Sequence, residues 1–155
     1  MRRALTLTLL PGLFALAACD GGSGPVDAGS DSGAGPAVVL TVHAFEQTDG
    51  LMGNVGRVTP TTGNVFYALD ITLEARRAGP LPVAPIAFNL TLSDGMIIRG
   101  DSSTNEVADG CSSRNVPEGE STSCKVVFEL LEGSAAPETL EWTDGARRAV
   151  ALVPT

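Results

Sequence analysis

The sequence predicts an all-β protein, an antiparallel β-sandwich of about 6–8 strands. From Ala37 onward, apolar residues alternate with polar ones at a period of two, and no stretch repeats convincingly at helical spacing. The chain holds 18 glycines and 10 prolines, and within this region they recur between the alternating runs, as is typical of turns. A chain of 155 residues has room for one such domain, which we place at residues 37–155.

The first 18 residues predict a secretory signal peptide. Arg2 and Arg3 precede an apolar run, ALTLTLLPGLFALAA, that ends in small residues. A membrane-spanning helix needs about 20 apolar residues, whereas this run is shorter and contains Pro11-Gly12. We therefore expect residues 1–18 to direct export rather than to form a stable membrane span.

The signal ends in Leu16-Ala17-Ala18-Cys19, which resembles the lipobox of bacterial lipoproteins. The resemblance implies that Cys19 is the lipidation site and becomes the N-terminus of the mature protein. Two or more acyl chains hold a protein on a bilayer, because each buried CH2 contributes about 0.8 kcal/mol. We therefore expect a cell-envelope protein that is anchored to a bacterial membrane, facing the periplasm or the cell surface. An unlipidated secreted cysteine is the alternative, and the choice between inner and outer membrane stays open.

Residues 19–36 predict a flexible linker behind the anchor. The stretch DGGSGPVDAGSDSGAGP contains almost no side chain that could be buried. Treated as a Gly/Ser-rich coil, it spans roughly 20 to 25 Å between its ends. Calcium binding by Asp20, Asp27 and Asp31 is the alternative, but their spacing does not repeat like that of a calcium-binding loop.

Two long strands are predicted early in the domain. In AVVLTVHAF, residues 37–45, the two faces hold Val38, Leu40, Val42 and Ala44 against Val39, Thr41, His43 and Phe45. In VFYALDITLEA, residues 65–75, one face is apolar and the other is mainly polar. The apolar face holds Tyr67, Leu69, Ile71 and Leu73. We expect that face to be buried.

Hairpins are predicted in the rest of the domain. Residues 85–100 place Ile86, Phe88, Leu90 and Leu92 on one face before an Asp94-Gly95 turn and a return strand, Met96 to Arg99. In the strand Ser123 to Glu132, one face holds Cys124, Val126, Phe128 and Leu130. A last pair, Thr139 to Trp142 and Ala149 to Val153, flanks Asp144-Gly145, with Trp142 expected in the core. Glu132 to Glu138 is a weak helix candidate.

Several of these stretches together resemble a known family. They are GNVFYALDITL (63–73), PLPV (80–83), FNL (88–90), SDG (93–95), VPEGE (116–120) and VFE (127–129). In this order they are similar to the telokin-like, immunoglobulin-like extracellular domains of the DUF4352 group. The resemblance covers about residues 58–153 and implies an immunoglobulin-like fold but little about activity. One departure is Glu74-Ala75-Arg76-Arg77, where the family pattern has an asparagine.

The remaining cysteines predict a disulfide. If Cys19 is lipidated, Cys111 and Cys124 are an even pair in an exported protein, and they bracket a turn at Pro117-Glu118-Gly119. An oxidising envelope favours their pairing, and closing a loop of this size contributes roughly 3 kcal/mol. The alternative, a redox or metal-binding pair, lacks a Cys-x-x-Cys motif and a neighbouring histidine.

No motif predicts catalysis, a metal site or a cofactor. His43, the single histidine, lies in a strand without a nearby nucleophile motif, and the chain has no Gly-x-Ser-x-Gly elbow. Calcium binding by Asp101, Glu106 and Asp109 is possible in principle, but a solvated acidic loop is the simpler interpretation.

Charge argues against nucleic acid as a partner. Without Arg2 and Arg3, 8 basic side chains stand against 18 acidic ones. Such a surface repels phosphates, and no large basic cluster offsets it. The sequence therefore predicts a non-enzymatic binding or structural module that meets the membrane through its lipid and an unknown protein or ligand through a sheet face or its loops. A small hydrolase with an unrecognised site and a calcium-stabilised module are the alternatives.

Overall fold

The computed structural model describes residues 36–77, 79–100 and 102–155. The predicted signal peptide, the lipidation site Cys19 and the linker before Pro36 lie outside the described residues. None of the described segments forms a helix with the length and apolar composition of a membrane span.

Strands dominate the domain, as the alternating pattern predicts. In chain order they are β1 (Val38–Thr48), β2 (Leu51–Gly53), β3 (Gly56–Val58), β4 (Asn64–Ala75), β5 (Leu81–Val83), β6 (Phe88–Leu92), β7 (Ile97–Arg99), β8 (Arg114–Val116), β9 (Ser121–Leu131), β10 (Pro137–Thr143) and β11 (Arg148–Leu152). A 3-10 turn, Pro85–Ala87, precedes β6, and a one-turn helix, α1 (Ser103–Glu106), follows β7.

Seven of these strands form two antiparallel sheets that pack face to face. A three-stranded sheet has the order β1-β4-β9, and a four-stranded sheet has the order β11-β10-β6-β7. If the seven strands are lettered along the chain, with β7 as C′, the sheets are A-B-E and G-F-C-C′. This is the immunoglobulin-like arrangement, with the fourth strand paired to C rather than to E. The predicted fold class is therefore confirmed, and two short pairs, β2-β3 and β5-β8, are added to it.

The core lies between the two sheets and is built from the predicted inward faces. Trp142, Tyr67, Phe88 and Phe128 are its largest fully buried side chains, together with Leu69. The Asp94-Gly95 turn joins β6 to β7 with Gly95 at a φ of 85°, a conformation that favours glycine. The turn between β10 and β11 likewise holds Asp144-Gly145.

The prediction for β1 is wrong beyond Val42, because a register shift between Val42 and Ala44 interrupts the alternation. After this bulge Phe45, predicted opposite Val42, turns to the core side and packs edge-on against Tyr67 with ring centroids 5.2 Å apart. Ala44, placed by the alternation on the same face as Val42, lies instead opposite Asp70 and is exposed. A bulge changes which face every later residue occupies, and nothing in the alternating pattern marked it.

The outer face of β4 is more covered than its sequence predicts. Phe66 and Ala68 lie on the face opposite the main core, yet both are buried in a second small cluster with Val107 and Val127. The β2-β3 pair and α1 supply the cover, since Leu51 and Val58 pack on this cluster. The segment around α1 was predicted as a loop.

The helix predicted at Glu132 to Glu138 is wrong. The chain makes a turn there, and β10 begins at Pro137. The Tyr67 hydroxyl donates to the Ser134 carbonyl at 3.0 Å, so this turn is tied to the core. Burial also raises the pKa of Tyr67 above its ordinary value.

Candidate binding site

Strand β9, at one edge of the three-stranded sheet, is covered where its outward backbone groups would otherwise be free. The Lys125 N–H donates to the Asp109 carbonyl at 2.7 Å, and the Lys125 carbonyl accepts from the Cys111 N–H at 2.9 Å. Val127 lies two residues further along β9. Its N–H donates to the hydroxyl of buried Thr104, and that hydroxyl donates to the Val127 carbonyl, each at 3.0 Å. This edge is therefore closed to a further strand at two successive outward positions.

A disulfide holds that cover in place. Cys111 and Cys124, the predicted pair, are joined with their Cα atoms 5.0 Å apart, and both are buried. Gly110 sits where an added Cβ would lie 1.8 Å from the Thr104 carbonyl oxygen, so only glycine allows the segment to pass this close to α1. Residues 109–111 thus make a single parallel β-bridge, Gly110 to Lys125, that covers β9.

Strand β7, at one edge of the four-stranded sheet, has no such cover. The Gly100 N–H donates to the Phe88 carbonyl, and the Leu92 N–H donates to the Met96 carbonyl, each at 2.8 Å. Since antiparallel ladders alternate bonded and non-bonded positions, Ile97 and Arg99 turn their N–H and C=O groups away from β6. No described strand pairs with that side of β7.

A groove of about 630 Å³ adjoins this open edge. Residues 82–87, the end of the long connection between β4 and β6, form one wall, and residues 143–145 form the other. Asn89 and Arg99 line the groove from the two neighbouring strands. We call the groove, together with the outward backbone of Ile97 and Arg99, the edge-and-groove site.

Three hydrogen bonds fix the first wall. Trp142 Nε1 donates to the Pro82 carbonyl, Arg99 Nε donates to the Ile86 carbonyl, and Arg147 donates to the Pro80 carbonyl, each at 3.1 Å. Because Trp142 itself is fully buried, the wall is anchored directly to the core. The groove is therefore shaped before any ligand arrives.

Ile86 corrects the prediction for this region. It was placed on the inward face with Phe88, Leu90 and Leu92, but it lies in the 3-10 turn and is 60% exposed, whereas the other three are buried. Pro85 was the available signal, because proline favours the first position of a helical turn.

The opposite wall is stiffened by an ion pair. Asp144 accepts from the backbone N–H of Arg147 at 2.8 Å and from its guanidinium at 2.5 Å. Burial of Asp144 opposes its ionisation, but the hydrogen bonds from Arg147 and Ala146 and the charge of Arg147 hold the pKa of Asp144 below its ordinary value. The Arg147 guanidinium also lies 5.9 Å from the centre of the Trp142 ring, a cation–π distance.

The lining of the groove combines apolar and polar side chains. Pro82, Ala84, Ile86 and Ala87 make one wall apolar. Arg99 uses only Nε in a hydrogen bond, and within the described residues its terminal nitrogens donate to no protein acceptor. The lining hydroxyl, that of Thr143, is engaged with the Arg147 carbonyl at 3.0 Å. The groove thus offers an apolar surface and one available cation.

The remaining candidates from the sequence lie elsewhere. His43 is exposed on the outer face of the three-stranded sheet, where its Nε2 lies 2.8 Å from the Thr72 hydroxyl. The Thr72 hydroxyl in turn lies 2.8 Å from the Ser123 hydroxyl. In the described part of the chain, no three acidic, histidine or cysteine side chains come together as metal ligands. Asp101, which with Glu106 and Asp109 was the alternative calcium-binding set, lies outside that part.

The fold and this site define the chain as a single immunoglobulin-like sandwich with an open edge strand. It is similar in structure to the secreted protein MPT63 of Mycobacterium tuberculosis, with a TM-score of 0.53 and 19% identity over 73% of this chain and 80% of that one. A lipoprotein candidate from Bacillus subtilis aligns with a TM-score of 0.49 and 12% identity, over 79% of this chain and 38% of that one. An uncharacterised β-sandwich protein of Clostridium difficile gives a TM-score of 0.43 and 12% identity, over 74% and 84%.

No protein-family model and no curated protein matches the chain. The predicted membership of the DUF4352 group is therefore not confirmed. Likeness to MPT63 at 19% identity shows a shared fold.

Proposed function

We propose that this chain is a lipid-anchored cell-envelope protein whose sandwich is a non-catalytic binding module. Its edge-and-groove site is the surface that meets a partner. The observation that carries this proposal is the contrast between the covered edge β9 and the open edge β7 beside a preformed groove. Proteins commonly cover or blunt their edge strands, and a strand that is left uncovered directly beside a preformed groove is suited to pairing with a partner.

The anchor is supported by the lipobox-like Leu16-Ala17-Ala18-Cys19 behind a signal-like segment. MPT63, which shares the fold, is a secreted protein, and this agrees with an exported domain. The Cys111–Cys124 disulfide also suits an oxidising compartment.

The chain enters the sandwich at the same end as the groove. Ala37 accepts hydrogen bonds from Arg76 and Arg77, and Val38 pairs with Ala75 at the end of β4, just before the connection that forms the groove wall. A linker with a reach of roughly 20 to 25 Å would then hold the groove on the membrane side of the domain. Partners in the membrane or close to it are the ones this placement favours.

Site-specific photo-cross-linking on intact cells tests the binding role. A benzophenone side chain is placed at Ile86 in the groove or, as the matched control, at Leu131 at the other end of the sandwich. These residues are 60% and 70% exposed, so both probes reach solvent. We expect a discrete cross-linked product from position 86 and none from position 131. Equal labelling from both positions, or none from position 86, would contradict the proposal.

The anchor is tested separately. Mass spectrometry of the mature N-terminal peptide should find acylated Cys19, and Cys19→Ser should move the protein from the membrane fraction to the soluble fraction. An unmodified N-terminus at another residue would remove the anchor from the proposal and leave the groove untouched.

A further inference from the structure

We infer that the edge-and-groove site takes an extended peptide segment of a partner protein as an extra strand on β7, with a carboxylate of that peptide opposite Arg99. The inference rests on the proposed function and names the chemical class of the partner.

The backbone of β7 supplies the first argument. Ile97 and Arg99 each present one N–H and one C=O to the free side of the strand, in the spacing that an added strand pairs with. Main-chain hydrogen bonds of this kind give affinity for any extended peptide, while side-chain contacts decide which one.

The side chains beside those backbone groups supply selectivity. Ile97 and Arg99 are two residues apart, so their side chains project from the same face of the sheet, and both are exposed. Residues directly opposite in a ladder have Cβ atoms about 5 Å apart. A ligand strand with an acidic residue opposite Arg99 and an apolar residue opposite Ile97 therefore satisfies both. The two ligand residues are two positions apart.

The groove extends this contact past the end of β7. Arg99 lines the groove and also bonds the Ile86 carbonyl, so the apolar wall begins where β7 ends. A peptide that pairs with β7 and continues in this direction meets Ala84 and Ile86 rather than open solvent. Burial of an exposed side chain such as Ile86 adds an apolar contribution to the main-chain hydrogen bonds.

A second copy of this chain fits the edge less well. A two-fold pairing of β7 with itself, centred on Ile98, places Ile97 of the second copy opposite Arg99. No carboxylate then meets the guanidinium. An acidic, strand-forming peptide is therefore the better occupant.

Two proline variants form the central test. The Ile97 N–H faces the free edge, so Ile97→Pro removes a donor for the ligand without removing a ladder bond to β6. Leu152→Pro is the matched control. Leu152 lies on β11, at the opposite edge of the same sheet, with its N–H also facing outward, and the two side chains are 66% and 69% exposed.

The probe is a random 12-residue peptide display library, selected against the mature full chain in detergent micelles. We expect enriched peptides in which an acidic and an apolar residue stand two positions apart. Their Kd should rise about tenfold or more with Ile97→Pro and change less than about twofold with Leu152→Pro. Arg99→Gln should weaken the binding of acidic peptides. Replacing the acidic residue of the peptide by its amide should weaken binding to the original chain but not to Arg99→Gln.

Circular dichroism checks that both proline variants fold. If Ile97→Pro does not fold, hydrogen exchange in the original chain replaces it, and a bound peptide should slow exchange of the Ile97 and Arg99 amides. The inference is overturned if no peptide is enriched, if Ile97→Pro binds the peptides unchanged, or if sedimentation shows a dimer that only Ile97→Pro dissociates. If the position-86 cross-link survives in Ile97→Pro, the peptide inference is wrong and the proposed binding function still stands. If position 86 gives no cross-link in any variant, the proposed function fails.

Discussion

Two edge strands, β9 of the three-stranded sheet and β7 of the four-stranded sheet, are treated in opposite ways. On β9, the outward groups of Lys125 and Val127 are satisfied by residues 109–111 and by Thr104, and a disulfide fixes the cover. On β7, the outward groups of Ile97 and Arg99 face no described strand, and exposed Ile97 stands beside them. Both edges have the same backbone chemistry, so the difference lies in what the chain folds over each.

This contrast separates stability from recognition. The cover on β9 uses a disulfide, a buried hydroxyl and a glycine at a close approach, all of which stabilise the free protein. The open edge makes no such contribution and is available to a partner. Substitutions at the covered edge should therefore change stability, and substitutions at the open edge should change binding.

Loss of the disulfide should have the largest effect on this contrast. Replacing both cysteines, Cys111→Ser with Cys124→Ser, should lower the free energy of unfolding by about 3 kcal/mol, because the unfolded chain regains the freedom of the loop between them. Urea denaturation under non-reducing conditions measures it. The original protein under reducing conditions is the control and should lose a similar amount. A change below about 1 kcal/mol would show that the cover holds without the disulfide.

Thr104→Val should have the next largest effect. The substitution keeps the shape but removes the hydroxyl that satisfies both backbone groups of buried Val127, so we expect a loss of about 2 kcal/mol. Thr72→Val is the matched control, because the Thr72 hydroxyl bonds His43 and Ser123 where water can replace it. Equal effects of the two substitutions in urea denaturation would argue against a closed edge at Val127.

A smaller, pH-dependent effect is expected from the groove. The pKa of Asp144 is lower in the folded state than its ordinary value of 3.8, so its contribution to stability is present above about pH 4 and is lost as pH falls through the folded pKa. Asp144→Asn should remove this part of the acid sensitivity and cost roughly 1 kcal/mol at pH 7.

Thermal unfolding between pH 2 and 7 measures this effect. Glu132→Gln, at an exposed position, is the control and should follow the original curve. An Asp144→Asn curve parallel to the original one throughout would contradict the role of the ion pair. Glu129, whose pKa is lowered by hydrogen bonds from Thr61 and Asn64, should still give residual acid sensitivity.

Alternation in the sequence predicted the inward faces of β4, β6 and β9 because a buried sheet face imposes a period of two on every residue. It also predicted both Asp-Gly turns, whose glycines adopt positive φ. The bulge after Val42 and the exposure of Ile86 could not be obtained in this way, because each depends on a local break in the period. The cover on β9 depends on contacts between residues 13 to 23 positions apart in the chain and on a backbone path that glycine permits, and neither leaves a periodic signal.

Native-state hydrogen exchange tests the central contrast most directly. The amides of Lys125, Val127, Ile97 and Arg99 all point outward from edge strands, and only the first two have protein acceptors in the described chain. We predict that Lys125 and Val127 exchange orders of magnitude more slowly than Ile97 and Arg99 in the free monomer. Equal protection of all four amides would show that β7 is also covered, and would contradict the account of an open edge.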